Sequence, residues 1–204
     1  MSVNLQKGQK VDLTKGNSGL KKLMVGLGWD EAPRASSSKG LFGGLFGGGG
    51  QESEIDCDAS AILLTNGKLK DIKDLVYFGN LTHKSGSVKH QGDNLTGAGD
   101  GDDEEIMIDL DKVPADCDKI VIVVNIYDSV KRKQHFGMIQ NAFMRIVNAQ
   151  NNQELCKYNL SENYDGKTAM IFGEIYRHSG EWKFSAIGQP TTDPGLQELT
   201  KRYI

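Results

Sequence analysis

Lys119-Ile120-Val121-Ile122-Val123-Val124-Asn125-Ile126-Tyr127 is an almost continuous apolar run, rich in β-branched residues and closed by Asp128. Branching at Cβ restricts χ1 and suits a pleated backbone, so the run predicts a central strand buried on both faces. Pro114 breaks the chain just before it. Downstream, residues 143–147 and 154–160 predict a hairpin around Gln150-Asn151-Asn152, and residues 168–178 and 181–187 a second around Ser179-Gly180. Upstream, Ile106, Ile108 and Leu110 alternate as a half-buried strand, Val88 follows a turn at Ser85-Gly86, and residues 75–78 return from a turn at Asn66-Gly67. Residues 55–64, 21–29, 11–13 and 2–6 complete the strands, with Gly26 and Gly28 predicting a bulge or close packing. The segment 129–141 has loose helical character, and its Lys131, Arg132, Lys133 and His135 read as a solvated connector.

Residues 194–203 predict the one clear helix, capped by Asp193, with Pro194 in its first turn and Leu196, Leu199 and Tyr203 on one face. About ten strands, frequent turns and a terminal helix make the chain all-β, a mainly antiparallel β-sandwich. The 204 residues fit a single domain over 1–204, interrupted at 33–54 by a flexible Gly/Ser-rich insertion. That insertion repeats Leu-Phe-Gly-Gly, and the doubled Leu41-Phe42 and Leu45-Phe46 pairs give it a second reading as a docking peptide.

The net charge of -3 supplies no basic footprint, so no nucleic acid is expected as a partner. The first twenty residues lack the apolar core of a signal peptide, and no run is long enough to span a membrane. Cys57, Cys117 and Cys156 are far apart without C-x-x-C spacing, which predicts reduced thiols in a cytoplasmic protein. Nucleophile-elbow, zinc-protease and phosphate-loop patterns do not occur. His83, His90, His135 and His178 have no carboxylate or Cys at ligand spacing in the sequence and read as structural or exposed.

The chemistry lies in Gly92-Asp93-Asn94-Leu95-Thr96-Gly97-Ala98-Gly99-Asp100-Gly101-Asp102-Asp103-Glu104-Glu105, with six carboxylates, four glycines and no Lys or Arg. Glycine permits the close backbone approach that brings short acids and carbonyls together, and converging hard oxygens suit calcium. A solvated acidic loop is the competing account. An EF-hand is excluded, because counting from Asp100 puts Glu105 at the glycine position and Asp111 at the bidentate glutamate. In Asp56-Cys57-Asp58 strand alternation sets two carboxylates side by side, where they repel unless a cation joins them or water screens them.

Several stretches together carry a resemblance: Val11-Asp12-Leu13-Thr14, Val25-Gly26-Leu27-Gly28-Trp29-Asp30, Asp56-Cys57-Asp58-Ala59-Ser60, the acidic run 92–105, Phe136-Gly137 with Asn141-Ala142-Phe143, and Glu174-Ile175-Tyr176-Arg177-His178-Ser179-Gly180-Glu181-Trp182-Lys183-Phe184. In this order the chain resembles the TerD family, the tellurite-resistance and general-stress calcium-binding proteins of bacteria, over nearly its full length. The resemblance implies a β-sandwich with acidic calcium-binding loops at one end and two calcium ions. Its motifs imply as metal ligands Asp56, Asp58, Asn80, Asp93, Asp100, Asp102, Asp103 and Glu104, with Asp30 and Asn94 next in line. Family members carry two asparagines where this chain has Gly79-Asn80, and a shorter insert than 33–54.

The implied function is a non-enzymatic, calcium-binding stress-response module of the cytoplasm. It would act as a scaffold with other tellurite-resistance or stress proteins, or peripherally at the inner membrane face. The alternatives are a calcium-dependent binder of anionic lipid and a metal-dependent hydrolase. The hydrolase lacks a positioned base or nucleophile in the acidic loop.

Overall fold

The computed structural model describes residues 2–32, 54–92 and 101–204, which leaves the Leu-Phe insertion, Asp93, Asn94 and Asp100 outside the described residues. Two six-stranded sheets face each other. The first runs β1 (Val3–Leu5), β10 (Gln153–Asn159), β9 (Ile139–Asn148), β3 (Lys22–Glu31), β7 (Glu104–Asp109), β6 (Val88–His90) in spatial order. The second runs β2 (Lys10–Asp12), β12 (Glu181–Thr191), β11 (Ala169–His178), β8 (Lys119–Ile126), β4 (Cys57–Leu64), β5 (Leu75–Val76). Every pairing is antiparallel except β1 with β10.

Strand β8 lies between β4 and β11, as its apolar run predicts. Ile120, Ile122, Val124 and Ile126 enter the core between the sheets, against Leu23, Val25 and Leu27 of β3. Val121 and Val123 face the other way and join a second apolar cluster with Ile62, Leu64, Ile171 and Leu199. The run is continuous because both faces are covered, one by the opposite sheet and one by the C-terminal helix α2 (Leu196–Thr200).

The helix is shorter than the sequence pattern suggests. Gly195, not Asp193, occupies its N-cap in a fully extended conformation, and Asp193 instead accepts from Arg202 at 2.9 Å, tying down the turn that follows. Segment 129–141 is loosely helical, as its sequence suggests: it holds one turn, α1 (Ser129–Arg132), and a 3₁₀ turn (Phe136–Met138) before β9 starts at Ile139. The strand count among the described residues is twelve rather than about ten, because edge segments as short as Leu75–Val76 still pair. The glycines of β3 behave as their sequence predicts. A bulge falls between Gly28 and Asp30, and a Cβ on Gly28 would stand 2.6 Å from the Phe143 ring.

Candidate acidic site at one end of the sandwich

Strands β3 and β7 are antiparallel, so the end of one and the start of the other meet, and Asp30 is brought near Asp102, Asp103 and Glu104. Strand β4 starts at the same end: Ile55 N–H donates to Glu31 Oε1 at 2.6 Å, and Ala59 N–H lies 3.4 Å from Glu104 Oε2. Period-two alternation then sends neighbouring acids in different directions. Asp58 shares the outer face of β4 with Ile62 and Leu64, while Glu104 shares the core face of β7 with Ile106 and Ile108.

The Glu104 carboxylate is fully buried and lies 2.8 Å from His90 Nε2. That nitrogen is also 3.2 Å from Ala59 O, and His90 Nδ1 accepts from Gly92 N–H at 3.2 Å. An Nδ1 that accepts a backbone N–H leaves Nε2 as the protonated nitrogen, which donates to the carboxylate. On the opposite face, Asp58 Oδ2 accepts from Asn125 Nδ2 at 3.2 Å, the two being cross-strand partners of β4 and β8. Asn125 is 5% exposed, yet its Oδ1 has no hydrogen-bond partner among the described residues. Asp56 has the Arg132 guanidinium at 3.9 Å, which also stands over the Tyr127 ring at 4.9 Å.

Asp103 belongs to the rim. Its N–H donates to Leu27 O at 2.7 Å and its Oδ2 accepts from Trp29 N–H at 2.9 Å. Burial pushes its pKa up, and Asp30, Asp102 and Glu104 add repulsion that the Trp29 N–H only partly offsets. Cys57 registers the same crowding. Burial drives its thiol pKa well up, and Asp56, Asp58, Glu104 and Asp103 each push it further.

The TerD domain family model matches residues 1–203. Over 204 residues the chain is 59% identical to stress response protein SCP2 of Bacillus subtilis (strain 168), covering 100% of each. It is 48% identical to tellurium resistance protein TerD of Serratia marcescens, across 100% of this chain and 97% of that one. The chain belongs to the TerD family. A solved structure of a homologue of telluride resistance protein (TerD) from Streptomyces coelicolor A3(2) superposes with a TM-score of 0.60 at 20% identity, over 84% of this chain and 90% of that one, which shows the shared fold. TerD membership agrees with the non-enzymatic reading of the sequence.

Against that family pattern the structure sorts the anticipated ligands into groups. Asp56, Asp58, Asp103 and Glu104 gather around Cys57, although among the described residues no three His, Cys, Asp or Glu side chains converge in a metal-holding arrangement. Asp102 turns away to the outer face of the first sheet, where Arg145 holds both its oxygens. Asn80 closes the turn after β5, its Nδ2 donating to Leu75 O at 2.6 Å. Asp93 and Asp100 fall outside the described residues, as does Asn94. Asp30 accepts from Asn141 Nδ2 at 2.7 Å.

Two residues escaped the sequence reading. Asn125 had a usable signal, as the one polar residue inside the apolar run of β8. Arg145 gave none, because its acidic partner lies 43 positions away. His90 is structural, as its sequence suggests, but it meets a carboxylate distant in sequence, Glu104, as His83 meets Asp74 and His135 meets Asp165. The three cysteines are free and buried.

Proposed function

We propose that this chain is a calcium-binding, non-enzymatic stress-response protein of the tellurium-resistance type, working in the cytoplasm as a binding or scaffold module. The reading rests on the four carboxylates around Cys57, three of them (Asp56, Asp58 and Glu104) almost wholly removed from water. Acids gathered in a low-dielectric interior repel one another, and a divalent cation is the partner that reverses the sign of that interaction. The donor set fits a hard cation, being carboxylate and amide oxygen, with Asn125 Oδ1 a buried acceptor beside Asp58. Asp56, Asp58, Asp103 and Glu104, which alternation sends to different faces, would be shared between two ions, with Asp93 and Asp100 as further donors. Bound calcium would add positive charge where these acids crowd. The names of the relatives support the stress-response setting, and other proteins of that response are the partners we propose.

A second reading, calcium-dependent attachment to anionic lipid, draws on one surface. Phe78, Tyr127 and Val130 are exposed beside Lys131 and Arg132. Sedimentation with anionic liposomes in calcium and in chelator separates it from the scaffold reading. Among the described residues no helix is long and apolar enough to cross a membrane.

Calorimetric titration with calcium and thermal melts in calcium, magnesium and chelator test the proposal. Calcium at a hundredfold excess over its Kd should add about 2.7 kcal/mol per independent site. Magnesium, which demands tighter octahedral geometry and keeps its waters, should add much less. A midpoint that calcium leaves unmoved would remove the calcium reading.

A further inference from the structure

We infer that Arg145 is the positioning residue of the acidic segment, and that Asp102 is its anchor rather than a cation ligand; the inference rests on the calcium reading above. The Asp102 side chain is 2% exposed. Its Oδ1 accepts from Arg145 Nε at 2.8 Å, and its Oδ2 from the same Nε at 3.0 Å and from Nη2 at 2.8 Å. This is the two-pronged match of a planar guanidinium to a carboxylate, in which both oxygens are already committed to a resident cation.

The pair has a built seat. Asp102 lies flat over Gly26 of β3, where a Cβ would stand 2.2 Å from Asp102 Oδ2 and 2.3 Å from its Cγ, so only a bare backbone leaves room. Arg145 extends from β9, the neighbour of β3 on the other side, and its Nη1 is 3.7 Å from Glu154 of β10. The clamp therefore reaches across β3 and fixes the segment that enters β7 against β9 and β10.

The consequence falls on the next two residues. Leu27 pairs with Glu104 and Gly26 with Glu105, and in this register Glu104 faces the core while Asp103 meets the Trp29 N–H. A slip of one residue would turn Glu104 outward and Glu105 inward, away from His90 and β4. Arg145 thus acts on the cation through the placement of Asp103 and Glu104, without touching it.

Calcium titrations of the full chain test this with Arg145→Met, Asp102→Asn and the double variant, each held well below its melting midpoint. Each single change should weaken calcium binding roughly tenfold, as loss of an outer-shell partner does, with the number of sites unchanged. The double variant should be no weaker than the weaker single one. If Asp102 is itself a ligand, Asp102→Asn will weaken binding, or remove a site, just as strongly in the Arg145→Met background, and the inference fails. Lower melting midpoints with wild-type calcium affinity would also overturn it, leaving Arg145 a purely structural role. Should Arg145→Met not fold, Arg145→Lys keeps the charge without the fork, and intermediate affinity is expected; unchanged affinity counts against the inference. Wild type that binds no calcium sinks the calcium reading itself. Coupling of Asp102 and Arg145 in chelator melts, which needs no metal, then shows that the ion pair stands while the reading has failed.

Discussion

At the end of the sandwich where β8 starts, Lys119 lies 2.9 Å from Glu174, Lys84 2.7 Å from Asp74 and Lys21 3.0 Å from Asp111. At the other end Asp56 lies 3.9 Å from Arg132, Asp58 accepts from the amide of Asn125, and Asp103 accepts from a backbone N–H. The first end matches carboxylates with lysines near the surface, where water would have solvated either charge at little cost. The second withdraws carboxylates from water and meets them with amide, backbone N–H, imidazole and arginine groups. Burial of acid is expensive, and on the calcium reading proposed above a bound cation would offset part of that cost at the second end. Asp102 sharpens the contrast, since it carries a bidentate arginine.

The largest difference between the ends should appear when their cations are removed. Arg145→Met strands a carboxylate that is 2% exposed, and loss of one partner from such a pair should cost about 3 kcal/mol in chelator. Lys119→Met removes a partner from Glu174, whose side chain is 21% exposed and can take up water instead, so the cost should stay below about 1 kcal/mol. Urea denaturation of both variants decides the matter, and equal losses would mean that the two ends do not differ in kind. Gly26→Ala should fall between them, at about 1–3 kcal/mol, because its methyl would force the held Asp102 carboxylate off the sheet. If Gly26→Ala costs nothing in the wild type, Asp102 is freer than its contacts with Arg145 allow.

The parts of the molecule that the sequence shows well are those fixed by local pattern. Alternation and apolar runs identify β8, β4 and the two hairpins, and Gly26 and Gly28 announce the close approach of Asp102 and Phe143. Helix length was less legible, because the arrest at Gly195 depends on where Asp193 finds its own partner, Arg202. The site was legible in composition and not in direction. Counting acids shows that charge collects near residue 102, but which face each acid takes is set by the register of β7 on β3 and by the bulge near Gly28. The neutralisation of Asp102 by Arg145 is a long-range contact between strands on either side of β3, for which no spacing rule exists.

The smallest effect, and the one that compares the ends most directly, is the response to pH in chelator. Asp103 has its pKa raised above the ordinary aspartate value of 3.8, chiefly by burial, so the folded state keeps a proton that the unfolded chain has released. Stability contributed by that group is full below 3.8 and declines as pH rises through the raised folded value. Asp74 behaves oppositely. Burial alone would raise its pKa, but hydrogen bonds from Lys84 and His83 outweigh burial and hold it below 3.8, so its contribution is present above that value and lost as pH falls through the lowered one. Asp103→Asn should therefore match wild type in acid and gain on it as pH rises, while Asp74→Asn should trail wild type near neutrality and close the gap in acid. Added calcium should reverse the first difference, since the neutral side chain gives up a charged ligand, and should leave the second unchanged. Denaturant melts of the three proteins from pH 3 to pH 7 in chelator, repeated in calcium near neutrality, measure both slopes. Parallel curves for wild type and Asp103→Asn in chelator, or a calcium response equal at both ends, would show that the acids around Cys57 are as well compensated as those beside the lysines.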